Sequence, residues 1–424
     1  MRSLCFNFQM NLPVHFRTYR FFDIGREHYY YDDFQNKYMV QRMAERSYLP
    51  ANELILQMIE EDNARFSFNI SGITLRLLEL YAPEVIKSFQ KLAKTGNVEF
   101  LAGTYHYSIT SLKDADEFET QVRMQVEKIE KLFSQTPTSF SNTGLIYSDN
   151  IGETVAKMGF KSILTEGPKH ILGWKSPNYV YANPINENLA VLMRNSELSD
   201  DFSFRFSSHS WEKHPLTAEK FADWINLYAS DTQCVNICTD YRLLGDFHTK
   251  ETGIFDFFRN LPTVLKKETD YVLQTPSDVV KQVKPVGNIY VPYPISWFSE
   301  EKDTALLLGN ELQGEAIQKL YGLKEKVLST EKTELIKLWR VLQESDNFLK
   351  MNRKSIASAF GRREGDCPYQ IFINYMNILS DFTLRVEESV KTKVPKKEKT
   401  VKAKPDSKKP KVDEKPVKKQ KSQE

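Results

Sequence analysis

The chain has 424 residues, 41% of them hydrophobic and 12% aromatic, enough apolar side chain to bury a large core, so a folded globular protein is expected. No stretch approaches the ~18 consecutive apolar residues of a membrane helix, and Cys5, Cys234, Cys238 and Cys367 have neither disulfide-framework nor zinc-knuckle spacing, so free thiols and a cytoplasmic setting are expected. The net charge of +2 hides an asymmetry: Lys391 to Glu424 holds 14 lysines against 5 acids, +9, which leaves −7 for the rest.

At the start Leu4, Phe6, Phe8 and Met10 alternate with polar neighbours, without the apolar block of a signal peptide, and predict a first strand over Leu4 to Met10. Six more short apolar segments read as strands: Phe66 to Ile70, Val98 to Ala102, Thr138 to Thr143, Lys161 to Thr165, Leu189 to Met193 and Cys234 to Thr239. Helical patterns separate most of them. In the clearest, Asp116 to Phe133, the residues Phe118, Val122, Val126, Ile129 and Phe133 step by three or four behind an acidic first turn. Strands alternating with helices imply a parallel sheet, and seven of them in about 240 residues favour a closed barrel over an open one. No Gly-rich dinucleotide fingerprint or phosphate loop follows any strand.

In such barrels chemistry sits just past the C-terminal strand ends. The residues there are Asn11, Ser71, the run Gly103 to Ser108, Gly144, Glu166, Arg194, Asn195, Asp240 and Tyr241. Beyond about residue 300 the strand pattern gives way to helical spacing in Thr304 to Lys326, Lys332 to Glu344 and Pro368 to Arg385. The expected fold is α/β: an incomplete TIM-type (β/α)7 barrel over residues 1–290, a C-terminal helical bundle over 291–388 and a disordered Lys/Pro-rich tail over 389–424.

Several long blocks carry a family resemblance: "RFFDIGREHYYYDD" (20 to 33), "VEFLAGTYHYSITSL" (98 to 112), "MGFKSILTEGPKHILGWKSPNYVY" (158 to 181), "LSDDFSFRFSSHSW" (198 to 211), "TDYRLLGDFH" (239 to 248), "ETGIFDFFRNLP" (251 to 262) and "FINYMNILSDFTLRV" (372 to 386). Through them residues 1 to 385 resemble the α-amylase-like branch of glycoside hydrolase family 57. The resemblance implies a seven-stranded barrel acting on α-1,4-glucans by a retaining mechanism, with no metal and no organic cofactor. Retention needs two carboxyl groups ~5–5.5 Å apart. The family nucleophile is a Glu in a block like "NTELIY", which here reads Asn142-Thr143-Gly144-Leu145-Ile146-Tyr147 and puts Gly144 in the nucleophile position. The family acid/base falls on Asp240.

Further departures surround these two. A pattern like "HQP" is Asn11-Leu12-Pro13, and one like "ETYYHSL" is Gly103-Thr104-Tyr105-His106-Tyr107-Ser108-Ile109, without its acid. Arg242 stands where an acid is expected, and Trp297 survives from a "WAD"-like block whose Asp is replaced by Ser299. Each residue has two readings. Asp240 is a surviving acid or a relic carboxylate; Gly144 a lost nucleophile or a turn glycine; His106 a sugar ligand or a barrel-rim histidine; Trp297 a stacking platform or core. Cys234 and Cys238 read as buried thiols on one strand face. The resemblance thus implies a catalytically impaired homologue that binds an α-1,4-glucan, a maltooligosaccharide or a protein partner. Its alternative is an active hydrolase or 4-α-glucanotransferase in which Glu166 activates water and Asp240 protonates the leaving group, at the ~6.5–9.5 Å separation of an inverting enzyme. The lysine tail has no interleaved aromatics for bases to stack on and does not read as a nucleic-acid module.

Overall fold

The computed structural model describes residues 2–354 and 367–393. Nine strands are present among them: β1 (Arg2–Met10), β2 (Phe66–Ile70), β3 (Val98–Phe100), β4 (Ser139–Ser141), β5 (Ser162–Thr165), β6 (Val180–Ala182), β7 (Ala190–Met193), β8 (Cys234–Asp240) and β9 (Tyr271–Leu273). One sheet has the order β3-β2-β1-β8, all parallel, and β9 pairs with the first residues of β1 below the start of β2. The other has the order β4-β5-β7-β6, with only β6 antiparallel. Parallel single bridges, Ala102 to Phe140 and Arg194 to Asn236, link β3 to β4 and β7 to β8. All seven segments expected to be strands are strands; β6 and β9, each three residues long, were not foreseen. Two expected ends are shorter in the structure: β3 stops at Phe100 and β4 at Ser141.

The alternation along β1 decides what faces the helices. Leu4, Phe6, Phe8 and Met10 enter a large apolar cluster with Leu54, Ile55, Phe258 and Leu261 from the surrounding helices. The intervening residues point inward, where the Asn7 amide reaches Cys238 Sγ at 3.7 Å and the Gln9 amide donates to Ser141 Oγ. Residues paired across parallel strands share a face, so Asp240, which pairs with Gln9, comes to the inner side at the C-terminal end of β8. Below it Cys5, Leu101, Leu164, Leu192, Cys234 and Cys238 form a small inner cluster.

The acidic-start helix is Ala115–Phe133; the Asp114 side chain caps it by accepting from Glu117 N–H, and it ends on Ser134 in the left-handed region. Glu311–Gly322, Lys324–Thr330, Thr333–Val341 and Pro368–Lys393 follow the last strand. Their Leu335, Trp339, Ile378 and Phe382 share one buried cluster with Phe140, Ile163 and Val191 of the second sheet. No apolar boundary therefore falls at residue 290 in the described residues. The last helix runs on to Lys393, so residues 389–393, expected in the tail, are helical; the tail beyond them lies outside the described residues. Among the described residues no helix is long and apolar enough to cross a membrane.

Candidate functional site

At the end of β8 the Asp240 side chain caps the turn Tyr241–Leu243, accepting from Arg242 N–H at 2.8 Å. The Arg242 guanidinium closes on both carboxylate oxygens, Nε to Oδ1 at 2.9 Å and Nη2 to Oδ2 at 2.7 Å. Each side chain is only 11% exposed, so water screens the pair weakly. Burial works against the charge on Arg242, but Asp240, joined by Tyr48 and Asp246, more than restores it and holds the guanidinium above its ordinary value. Within reach of the same charges, Asp346 accepts from Asn11 Nδ2 at 3.0 Å, and Ser71 Oγ donates to Asn11 Oδ1 at 2.8 Å. Burial raises the Asp346 carboxyl, Asp240 adds to the rise, and Lys350, Arg242 and the Asn11 bond oppose it. Glu344 stands two residues before Asp346; it accepts from Val14 N–H at 3.0 Å, and burial raises its carboxyl well above the usual range.

Just past β4, Gly144 lies in the turn Thr143–Leu145 with φ +55° and ψ +28°. Its N–H donates to the Tyr107 hydroxyl at 3.0 Å and its carbonyl accepts from Trp297 N–H at 2.9 Å. A Cβ added here would lie 2.5 Å from Cζ and 2.6 Å from Cδ2 of Phe298, and closer still to Cε2. The aromatic ring occupies the space a side chain at 144 would need.

Glu166 is fully buried and fully engaged. It accepts from Gly167 N–H at 2.9 Å, from Ser196 Oγ, and from Arg194 Nη1 at 3.0 Å. Arg194 also donates to Asp200 Oδ1 at 2.5 Å and to the Cys238 carbonyl at 3.0 Å. Burial opposes the Arg194 charge, and Glu166 and Asp200 more than restore it. The Lys302 ammonium stands 3.7 Å from Glu166 and 3.9 Å from Asp200.

A cavity of about 350 Å³ opens between these groups, with Asp200, Asp240, Arg194 and Lys302 on its polar wall and Phe204, Phe247, Trp297 and Phe298 on its apolar one. That size and mixed lining suit a small organic ligand. Of the residues singled out in the sequence, the cavity collects Asp240 and Trp297. Gly144 lies against Phe298, Glu166 is bonded to Arg194 and Asn11 to Asp346, and none of the three lines the cavity. His106 is elsewhere: it is buried against Tyr105, its backbone N–H donates to Gln121 at 3.3 Å, and burial, with Arg340 and Arg76, pushes its imidazole down to about 3. A larger cavity, about 810 Å³, lies between the Val14 to Phe21 segment and the last helix and contains none of the strand-end carboxylates. Among the described residues no group of three or more His, Cys, Asp or Glu side chains is placed to hold a metal ion.

Sequence reasoning missed Asp200, Phe298, Lys302 and Asp346. Asp200 lies inside a block that carried the resemblance, but nothing local aims its side chain at the cavity. Lys302 and Asp346 come from the region read as appended helices, and only the shared core brings them over the strand ends.

Fold and site define a parallel-stranded α/β protein with an acid-and-aromatic cavity at the C-terminal ends of its strands. The sequence pattern of glycosyl hydrolase family 57 matches residues 5–292, and the chain belongs to that family. It is 37% identical over 373 residues to a Methanocaldococcus jannaschii protein described as "Putative alpha-amylase", covering 85% of this chain and 79% of that one. The fold is similar to that of a family 57 branching enzyme from Thermococcus kodakaraensis, with a TM-score of 0.66, 12% identity, and coverage of 92% and 94% of the two chains. It is also similar to the 4-alpha-glucanotransferase of Thermococcus litoralis, with a TM-score of 0.62 and 14% identity. That match covers 82% of this chain but only 56% of the larger enzyme.

Proposed function

We propose that this family 57 protein is an α-1,4-glucan-binding (β/α)7 barrel, extended by C-terminal helices, in which hydrolysis has been lost. The observation that carries the reading is the Phe298 ring packed over Gly144. The position that resemblance gives to the nucleophile has no side chain, and no room for one as the ring now stands. The partner carboxylate is also restrained, because Arg242 holds both oxygens of Asp240. A carboxyl group with both oxygens accepting from one guanidinium cannot meet a leaving-group oxygen until the pair opens. What survives is a cavity with Trp297 on its wall, whose aromatic face suits the C–H side of a sugar ring.

The test is turnover of end-labelled maltoheptaose by the full chain and by Asp240→Asn, beside calorimetric titration of the same sugar. Binding without cleavage is expected. Cleavage by the full chain that vanishes in Asp240→Asn would overturn the loss of catalysis.

One observation favours a second reading, a working hydrolase or glucanotransferase: Asp200 shares the cavity wall with Asp240. Asp200, and not the enclosed Glu166, is then the carboxylate available to activate water. An inverted anomeric configuration in the first product, followed by NMR, is the signature of that route.

A further inference from the structure

Six described residues other than glycine have positive φ: Asn63, Tyr107, Ser134, Leu145, Lys302 and Glu331. Asn63, Ser134 and Glu331 end helices, where the left-handed conformation is usual. The other three stand at the mouth of the strands. Tyr107 places its hydroxyl on Gly144 N–H, and Leu145 fills the inner apolar cluster. For both, the side chain's packing or hydrogen bond accounts for the conformation. Lys302, with φ +60°, needs another explanation.

The turn that carries Lys302 is pinned on all sides. Its carbonyl accepts from Ser296 N–H at 3.1 Å and its N–H donates to Ser299 O at 3.2 Å. Ser299 Oγ donates to Asp303 Oδ1 at 2.9 Å and accepts from Asp303 N–H at 2.9 Å. A glycine at 302 would hold this backbone without steric cost, so turn geometry does not call for a lysine. The side chain does one thing the turn does not require: it brings an ammonium to the cavity wall. There, 3.7 Å and 3.9 Å from two carboxylates, the ammonium has no hydrogen-bond acceptor among the described residues. The cavity wall thus presents an unspent donor, the Lys302 ammonium.

We infer that Lys302 is a ligand-binding residue of this cavity, donating beside the Trp297 ring to oxygens of a neutral polyhydroxyl ligand, the glucan of the reading above, on which this inference rests. The surrounding charges favour a neutral ligand over an anion. Arg194, Arg242 and Lys302 are matched by Glu166, Asp200 and Asp240, and exposed Glu300 adds a further negative charge at the rim. An ammonium held just beyond hydrogen-bond distance of its carboxylates can turn a proton to a sugar hydroxyl without breaking a bond already made.

The experiment is calorimetric titration of maltoheptaose into the full chain, Lys302→Met and Lys302→Gly, with thermal midpoints measured in parallel. Met keeps the stem and removes the charge; Gly also relieves the positive φ. Loss of a charged donor is expected to weaken binding about 10- to 100-fold in both variants, with the midpoint of Lys302→Gly equal to or above that of the unaltered chain. A midpoint that falls in both variants with unchanged affinity would assign Lys302 to neutralising Glu166 and Asp200 and overturn the inference. Unchanged affinity and midpoints overturn it as well. Absence of binding by the unaltered chain overturns the glucan reading and this inference with it.

Discussion

Gly144 is the position at which the structure makes its most demanding forecast. Adding one methyl group there, Gly144→Ala, meets two obstacles. A residue with a Cβ at φ +55° bears about 1–2 kcal/mol of left-handed strain. The new atom also drives into the edge of the Phe298 ring, an overpacking worth about 1–3 kcal/mol. The sum is about 2–5 kcal/mol. With roughly 2.1 cal/mol/K of unfolding entropy per residue, the 380 described residues give about 0.8 kcal/mol/K, so the thermal midpoint should fall by about 2–6 °C. Scanning calorimetry of Gly144→Ala, Phe298→Ala and the double variant separates the two parts. Truncating Phe298 removes the ring that the methyl strikes, so the double variant should be less destabilised than the sum of the singles by about 1–3 kcal/mol, with the backbone strain left over. Strict additivity, or a Gly144→Ala midpoint equal to that of the unaltered chain, would refute the account of a ring filling the nucleophile position. By the same reasoning Gly144→Glu alone should not create turnover of maltoheptaose.

Asp240→Asn should lower stability by about 3 kcal/mol, because it removes the carboxylate that accepts from Nε and Nη2 of the buried Arg242 guanidinium; a urea midpoint unmoved by the change would mean that the pair contributes nothing net. His106 should make the protein acid-labile. Its folded-state value of about 3 lies below the ordinary 6.5, so between these pH values the unfolded chain binds the extra proton and stability falls as pH falls. At pH 4.5 the difference amounts to roughly 2–3 kcal/mol relative to pH 7, and His106→Gln should flatten that part of the stability profile measured by denaturant titration. Cys5, Cys234 and Cys238 are buried, with thiols raised by burial, Cys234 and Cys238 to about 12. Alkylation at pH 8 should spare all three until the chain unfolds and reach the half-buried Cys367 first; early modification of any of the three would show that the strands open.

Much of the scaffold was legible before any coordinates. The seven principal strands and the helix Ala115–Phe133 follow from apolar periodicity, since alternation along β1 and a three-to-four step along a helix are local properties of consecutive residues. β6 and β9 were not legible because each owes its conformation to pairing along a neighbour's edge. The helical end of the chain was legible as helix but not as a wall of the mouth, because its Leu335, Trp339 and Phe382 show an apolar face without naming what they bury against.

The candidate site divides along the same line. Residue types and their order along the chain determined by themselves that a glycine follows β4, that an aspartate ends β8 and that an arginine comes two residues after it. Tertiary structure alone decided that Phe298 fills the space over that glycine, that the arginine turns back onto both oxygens of the aspartate, that Glu166 is enclosed while Asp200 is not, and that His106 packs away from the cavity. The reason is physical. Local sequence sets backbone conformation and which face a residue takes, whereas the surroundings of a side chain at a strand end come from loops and helices up to 335 residues distant, brought there by the burial of a shared core.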